Sequence, residues 1–251
     1  MKKGTRVQTA PGWISRWLPL SADPVKVREF ATRLGDEFDE VQSILFAPFP
    51  YGPDELLVVL SDQATFVPLI QGRIMALDPP DVRVTCHRHR ELFELTMPGL
   101  VNPIMTDTYA ISAFWLRYTS EVLYGEDVRE AIPVRAWTRQ DAARPIIVAM
   151  DVGRQNLVLM PVVNRNYEQL GYSITAIVVL SMLAALLTRG EWWVEPESIV
   201  NRFRDAFPSI RETIDRLDEA LEPDVFGDEE AYHLVFIFDS FLRRMLKEMY
   251  L

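Results

Sequence analysis

The side chains best equipped for chemistry are few and scattered. His87 and His89 flank Arg88, and on a strand that continued through them they would share a face, a spacing able to offer two ligands to zinc or another transition metal. Histidines at a strand end serve equally well as polar surface, and no third ligand is evident in the sequence. Asp54 and Glu55 are adjacent acids at the head of an apolar run. Neighbouring strand residues point to opposite sides, so these two meet one cation only if the turn after Pro53 breaks the pleat. Glu126, Asp127 and Glu130 cluster near an expected domain junction, a placement that ordinary helix-terminus acids also adopt. Trp192-Trp193 either stacks a ligand, anchors at a membrane interface or plugs a gap between helices.

Several chemistries have no support. The sequence holds no nucleophile elbow, Walker loop or GxGxxG. His233 lacks an arginine four to six residues before it, which removes the helical ribonuclease pattern. Cys86 is the single cysteine, so neither an internal disulfide nor a multi-thiolate metal site is available, and a reducing cytoplasm is the expected setting. A formal charge of −10 argues against nucleic acid, because neutralising phosphates takes a clustered excess of Lys and Arg. The imbalance is local: residues 190–251 carry 15 acidic against 7 basic residues, while Lys2, Lys3, Arg6 and Arg16 have no acid beside them in residues 1–20. An acidic body of this kind favours cationic small molecules, and it also serves solubility.

The elements that must position these residues follow from periodicity and punctuation. With 49% hydrophobic and 25% charged residues in 251, the chain has enough apolar material for one large or two small domains. Asp23 to Gly35 reads as a helix, with Asp23 as cap, Pro24 at the first position and Val27, Phe30, Ala31 and Leu34 on one face. Strand-like runs follow at Val41–Ala47, Glu55–Leu60 and Asp81–Cys86, the first two separated by a Pro-rich turn containing Gly52. Beyond Cys86 the reading is helical almost to the end. Leu170–Thr188 runs 19 residues without a charge, long enough to suggest a membrane span. Its serines and threonines and the amphipathic helices after it favour a buried core helix instead, with Ser173, Ser181 and Thr188 on one close-packing stripe. Ile210, Ile214, Leu217 and Leu221 mark one further helix, and Val235, Phe238, Leu242, Met245 and Met249 another.

The order of helix, strand, tight loop and Leu/Val-rich strand resembles the nucleotidyltransferase fold, in particular its aminoglycoside adenylyltransferase-like branch. Glu121-Val122-Leu123-Tyr124-Gly125-Glu126-Asp127-Val128-Arg129 with Ile132-Pro133 is similar to the helix end and LYG segment after that branch's catalytic domain, and Leu183–Glu191 with Ala206-Phe207-Pro208 to its helical domain. The resemblance spans residues 23–222. It implies a Gly-Ser loop for phosphate, two carboxylates one residue apart for Mg²⁺ with a nucleoside triphosphate, and a third carboxylate on the neighbouring strand. Strand alternation explains that spacing, since residues two apart face one cation. Here Ala47-Pro48 stands at the Gly-Ser position, and Pro48 has no N–H to offer a phosphate. Matching the apolar strand places Glu55 at the second carboxylate with Pro53 at the first, and a shift recruits Asp54. The third run, Val82–Cys86, holds no acid.

The expectation is therefore an α+β protein: a basic arm (1–20), a small nucleotidyltransferase-like mixed-sheet domain (21–135) and an all-α bundle (136–251). It implies a cytoplasmic protein, with no nucleic-acid or membrane partner, that takes a nucleotide or small cationic molecule in an interdomain cleft. Asp54 and Glu55 are the candidate catalytic and metal residues, and Gly52, Glu126, Asp127 and Glu130 the candidate ligand contacts. With the carboxylate set incomplete, transfer is not expected. The alternative is an active Mg²⁺-dependent adenylyltransferase acting on a hydroxyl of an aminoglycoside-like acceptor.

Overall fold

The structure is a computed structural model that describes residues 12–17, 22–48, 54–96, 116–132, 134, 137–148, 150, 158–193, 195–223 and 226–250. Its elements run α1 (Gly12–Trp17), α2 (Pro24–Glu37), β1 (Val41–Ala47), β2 (Glu55–Leu60), α3 (Val67–Met75), β3 (Arg83–Arg88) and β4 (Glu121–Gly125). They continue with α4 (Arg139–Val148), α5 (Met160–Val163), α6 (Tyr167–Leu187), α7 (Pro196–Ala206), α8 (Arg211–Leu221) and α9 (Asp228–Tyr250). Two compact units result, Leu20–Ala136 and a helical unit that joins Met1–Pro19 to Trp137–Leu251.

The first unit is a four-stranded mixed sheet in the order β3-β2-β1-β4. β1 pairs antiparallel with both β2 and β4, whereas β2 and β3 run parallel and are joined through α3, the crossover that a parallel pair requires. α2 starts as expected: the Asp23 carboxylate accepts from the Val25 N–H at 3.0 Å and Pro24 occupies the first turn. Val27, Phe30, Ala31 and Leu34 then pack with Ile70 and Ile74 of α3 onto Ile44, Leu56, Val58, Leu60, Val84 and Cys86, the alternate residues of one sheet face. Leu45, Leu57 and Val59, on the other face, are buried too. β2 is thus buried along its whole length, which accounts for its unbroken apolar run.

Two local readings are corrected here, and one element is new. Gly35 does not end α2, which continues to Glu37; the residue lies under the Tyr124 ring, whose Cε2 would sit 2.1 Å from an added Cβ. Glu121–Gly125 is a strand, not a helix end, so the strands do not all fall early in the chain. The LYG segment has a steric function in this strand. Tyr124 donates its hydroxyl to the Gly35 carbonyl at 3.2 Å, and Gly125 has φ +72° with Gln42 O 2.0 Å from where its Cβ would be. α3 is the new element: its nine residues had no sequence reading, because only Ile70 and Ile74 are buried in so short a helix.

In the helical unit α6 is the central element, packed against α1, α4, α5, α7 and α9. Among the described residues it is the one helix long and apolar enough to cross a membrane, and 78% of its most apolar stretch is buried inside the fold. Ser173 and Ser181 are buried on it, where small side chains let neighbouring helices approach. α4 opens with a reciprocal cap: the Thr138 N–H donates to Asp141 at 2.9 Å and the Asp141 N–H to the Thr138 hydroxyl at 3.2 Å. The basic arm departs from expectation over residues 12–17. α1 is docked in this unit, with Trp13 Nε1 donating to Asp218 at 2.8 Å, Trp17 Nε1 to the Leu221 carbonyl at 3.0 Å, and Trp17 stacked on Phe226.

Two outcomes follow. Leu183→Asp places an unpaired charge in the fully buried C-terminal part of α6 and costs several kcal/mol, about 3 or more, so the variant should be recovered as insoluble protein under conditions in which wild type should be recovered without detergent. Burial pushes the Cys86 thiol up to about 12 from an ordinary 9.0. A raised folded-state pKa means that its contribution is complete below the unfolded thiol's pKa and is lost as pH rises from about 9 toward 12. Wild type should lose more Tm than Cys86→Ala between pH 8 and 10.5, and Cys86 should resist thiol reagents at pH 8 until the protein is unfolded.

Candidate functional site

Asp54 and Glu55 sit where the Pro-rich turn enters β2, and both carboxylates are buried. Their partners differ. Asp54 Oδ2 accepts from the Ala22 N–H at 2.8 Å, in the lead-in to α2, and the Asp54 carbonyl accepts from Arg83 N at 2.8 Å. Glu55, 3% exposed, accepts from Arg83 at 2.7 Å through Oε2 and from the Thr85 hydroxyl at 2.8 Å through Oε1. In the parallel register Glu55 lies opposite Arg83 and Leu57 opposite Thr85, so the three side chains come from one face of the β2–β3 pair. Ala22 belongs with the core on the α2 face. The adjacent acids obey strand alternation, and each is held by a partner of its own.

That arrangement does not suit a shared cation. A magnesium ion would need oxygens converging with open coordination positions, whereas both Glu55 oxygens are engaged by donors from β3. Thr85, in the strand where the resemblance calls for a third carboxylate, is itself one of those donors. Among the described residues there is no group of three or more His, Cys, Asp or Glu able to hold a metal ion. His87 is the penultimate residue of β3 and half-buried, while His89 falls in the 3₁₀ turn after the strand, so the two do not share one strand face. Gly52 lies outside the described residues.

The three acids after β4 are exposed on one turn. Ser43 donates its hydroxyl to the Glu126 carbonyl at 2.7 Å and so ties the turn to β1. Asp127 takes two side-chain hydrogen bonds from Arg129, at 2.6 and 2.8 Å, and these bonds pull its carboxyl down to about 2. Arg117 pairs with Glu130 at 3.1 Å and donates to the Ile132 carbonyl at 2.6 Å. Glu126 keeps an exposed carboxylate with no hydrogen-bond partner among the described residues. Among the described residues the turn therefore presents one uncompensated acid. Sequence reasoning missed Arg83, Arg117 and Arg129; the signal was available for Arg129, two residues from Asp127, but not for Arg83 and Arg117, which the fold brings to Glu55 and Glu130.

Trp192 and Trp193 follow a pinned turn. Arg202 makes two side-chain hydrogen bonds to Glu191, one of them at 2.8 Å, and they hold the Glu191 carboxyl below the usual range. No family model matches this chain, and no curated protein matches it.

The Glu55 clip generates a stability test. Arg83→Met leaves a buried carboxylate short of a donor and lowers unfolding free energy by about 1–3 kcal/mol in urea titration, less than a fully buried pair because the Arg83 side chain is half exposed. Adding Glu55→Gln removes the stranded charge and should restore part of that loss.

Proposed function

We propose that the sheet unit is a nucleotidyltransferase-like module that binds a small ligand, a nucleotide or a cationic molecule, and leaves it chemically unchanged. The order of α2, β1, β2, α3 and β3, with an antiparallel pair followed by a parallel one, supports the fold side of this reading. The observation that carries the functional side is the state of Glu55. Transfer to a hydroxyl needs an open, converging set of carboxylates to steady the phosphoryl charge and a base for the acceptor. Glu55 is enclosed and fully engaged by Arg83 and Thr85. Pro48, at the end of β1, offers no N–H to a phosphate.

The cationic option rests on the net charge of −10 and on Glu126, the exposed acid of its turn that has no arginine partner among the described residues. Asp127 is neutralised by Arg129 within the turn and Glu130 by Arg117, which precedes β4, and both add little.

Calorimetry with ATP and Mg²⁺ should show weak binding at most, and no pyrophosphate should be released with aminoglycoside acceptors. An aminoglycoside-like amine should bind more tightly than a neutral sugar, with an affinity that falls as salt rises and falls again in Glu126→Gln. Turnover that disappears in Glu55→Gln, in a variant shown to be folded, would overturn this reading in favour of the enzyme.

A further inference from the structure

α9 is the longest helix of the described chain, 23 residues and about 34 Å at 1.5 Å per residue. One side of it carries Ala231, Leu234, Phe238, Phe241, Leu242, Met245 and Met249, all buried in the helical unit. The opposite side is unusual for a surface. Tyr232, Phe236 and Tyr250 are 65%, 70% and 65% exposed. At 100° per residue, Glu229, Tyr232, Phe236, Arg243, Lys247 and Tyr250 fall within about 60° of arc, with Ser240 extending it to about 80°. All six are exposed. An acid and two aromatic rings occupy the N-terminal half of this stripe, and two cations and a phenol the C-terminal half, where Arg243 also pairs with Asp239 of its own helix at 2.7 Å and keeps its guanidinium plane for a ring.

From this pattern we infer that the outer face of α9 docks against the same face of a second copy of this chain, the two helices running antiparallel. A two-fold axis between Asp239 and Ser240 generates every pairing at once. It sets Phe236 opposite the partner's Arg243, Tyr232 opposite the partner's Lys247, and Glu229 opposite the partner's Tyr250. The first two are cation–π contacts, the third a phenol–carboxylate hydrogen bond. Glu229 also comes within one turn of the partner's Lys247. A two-fold interface must be self-complementary, and this face is so in only one sense of direction. Parallel pairing would bring Arg243 onto the partner's Arg243 and Lys247 onto the partner's Lys247, with the acids likewise opposed.

The surface buried by two such helices, six aromatic rings included, is on the order of 1,000 Å², the lower end for a specific interface. Association is therefore concentration-dependent. Each copy carries −10 overall, so the long-range term opposes approach at very low ionic strength and is screened near 0.15 M.

Sedimentation equilibrium of the full chain in 0.15 M salt should show a monomer–dimer equilibrium, with the 28.9 kDa species doubling in mass as concentration rises. Phe236→Ala should weaken the dimer by at least about thirtyfold, as loss of a central aromatic does, with an unchanged circular dichroism spectrum because the side chain is exposed. Glu229→Cys mixed with Tyr250→Cys should be joined by a short bis-maleimide, and Glu229→Cys alone should not. Cys86 is buried and does not compete. A monomer at every concentration, a dimer indifferent to Phe236→Ala, or linkage of Glu229→Cys to itself would each overturn the inference.

Discussion

Burial of β2 on both faces is the constraint on which the sheet unit depends. A strand from which water is excluded everywhere must pair every backbone group, so it needs a neighbour on each side and a layer above and below. β1 and β3 supply the pairing, one antiparallel and one parallel, and α2 and α3 supply one covering layer. The polar head of the strand must then be satisfied inside the fold. Asp54 takes the Ala22 N–H, and Glu55 takes Arg83 and Thr85, which also sets the register of the parallel pair. Two acids that look available for chemistry are thus consumed by the requirement that buried polar groups find partners.

The helical unit answers the same constraint with a different element. α6 is apolar all round and must be enclosed by helices rather than by strands, and five of them pack on it. One comes from the far end of the chain. The tryptophans of α1 bring apolar area together with indole N–H donors that reach Asp218 and the Leu221 carbonyl, so residues 12–17 of the stretch read as a basic arm contribute core. The side chain of Arg16, also in α1, donates to the Glu222 carbonyl at the end of α8, where a cation is favourable.

Glycines in this fold mark close approaches more than turns. Gly35 and Gly125 both serve Tyr124 and its strand, the first by leaving room for the ring and the second by letting β4 end against Gln42. A short motif that suggests family membership therefore has a complete mechanical account in packing alone, and it says nothing by itself about activity.

What the sequence determined by itself is whatever depends on near neighbours. The cap at Asp23, the apolar face of α2, the boundaries of β1 and β2 and the burial of α6 are matters of period and punctuation, and all are found in the structure as read. Only the tertiary structure could decide the rest. Whether Gly35 stops a helix depends on Tyr124, 89 residues away; whether Glu121–Gly125 is a strand depends on an open edge at β1; whether Glu55 is a ligand or a clip depends on which donors β3 brings beside it. Each of these is settled by a partner remote in the chain, and residue type and spacing carry no record of which remote group will arrive.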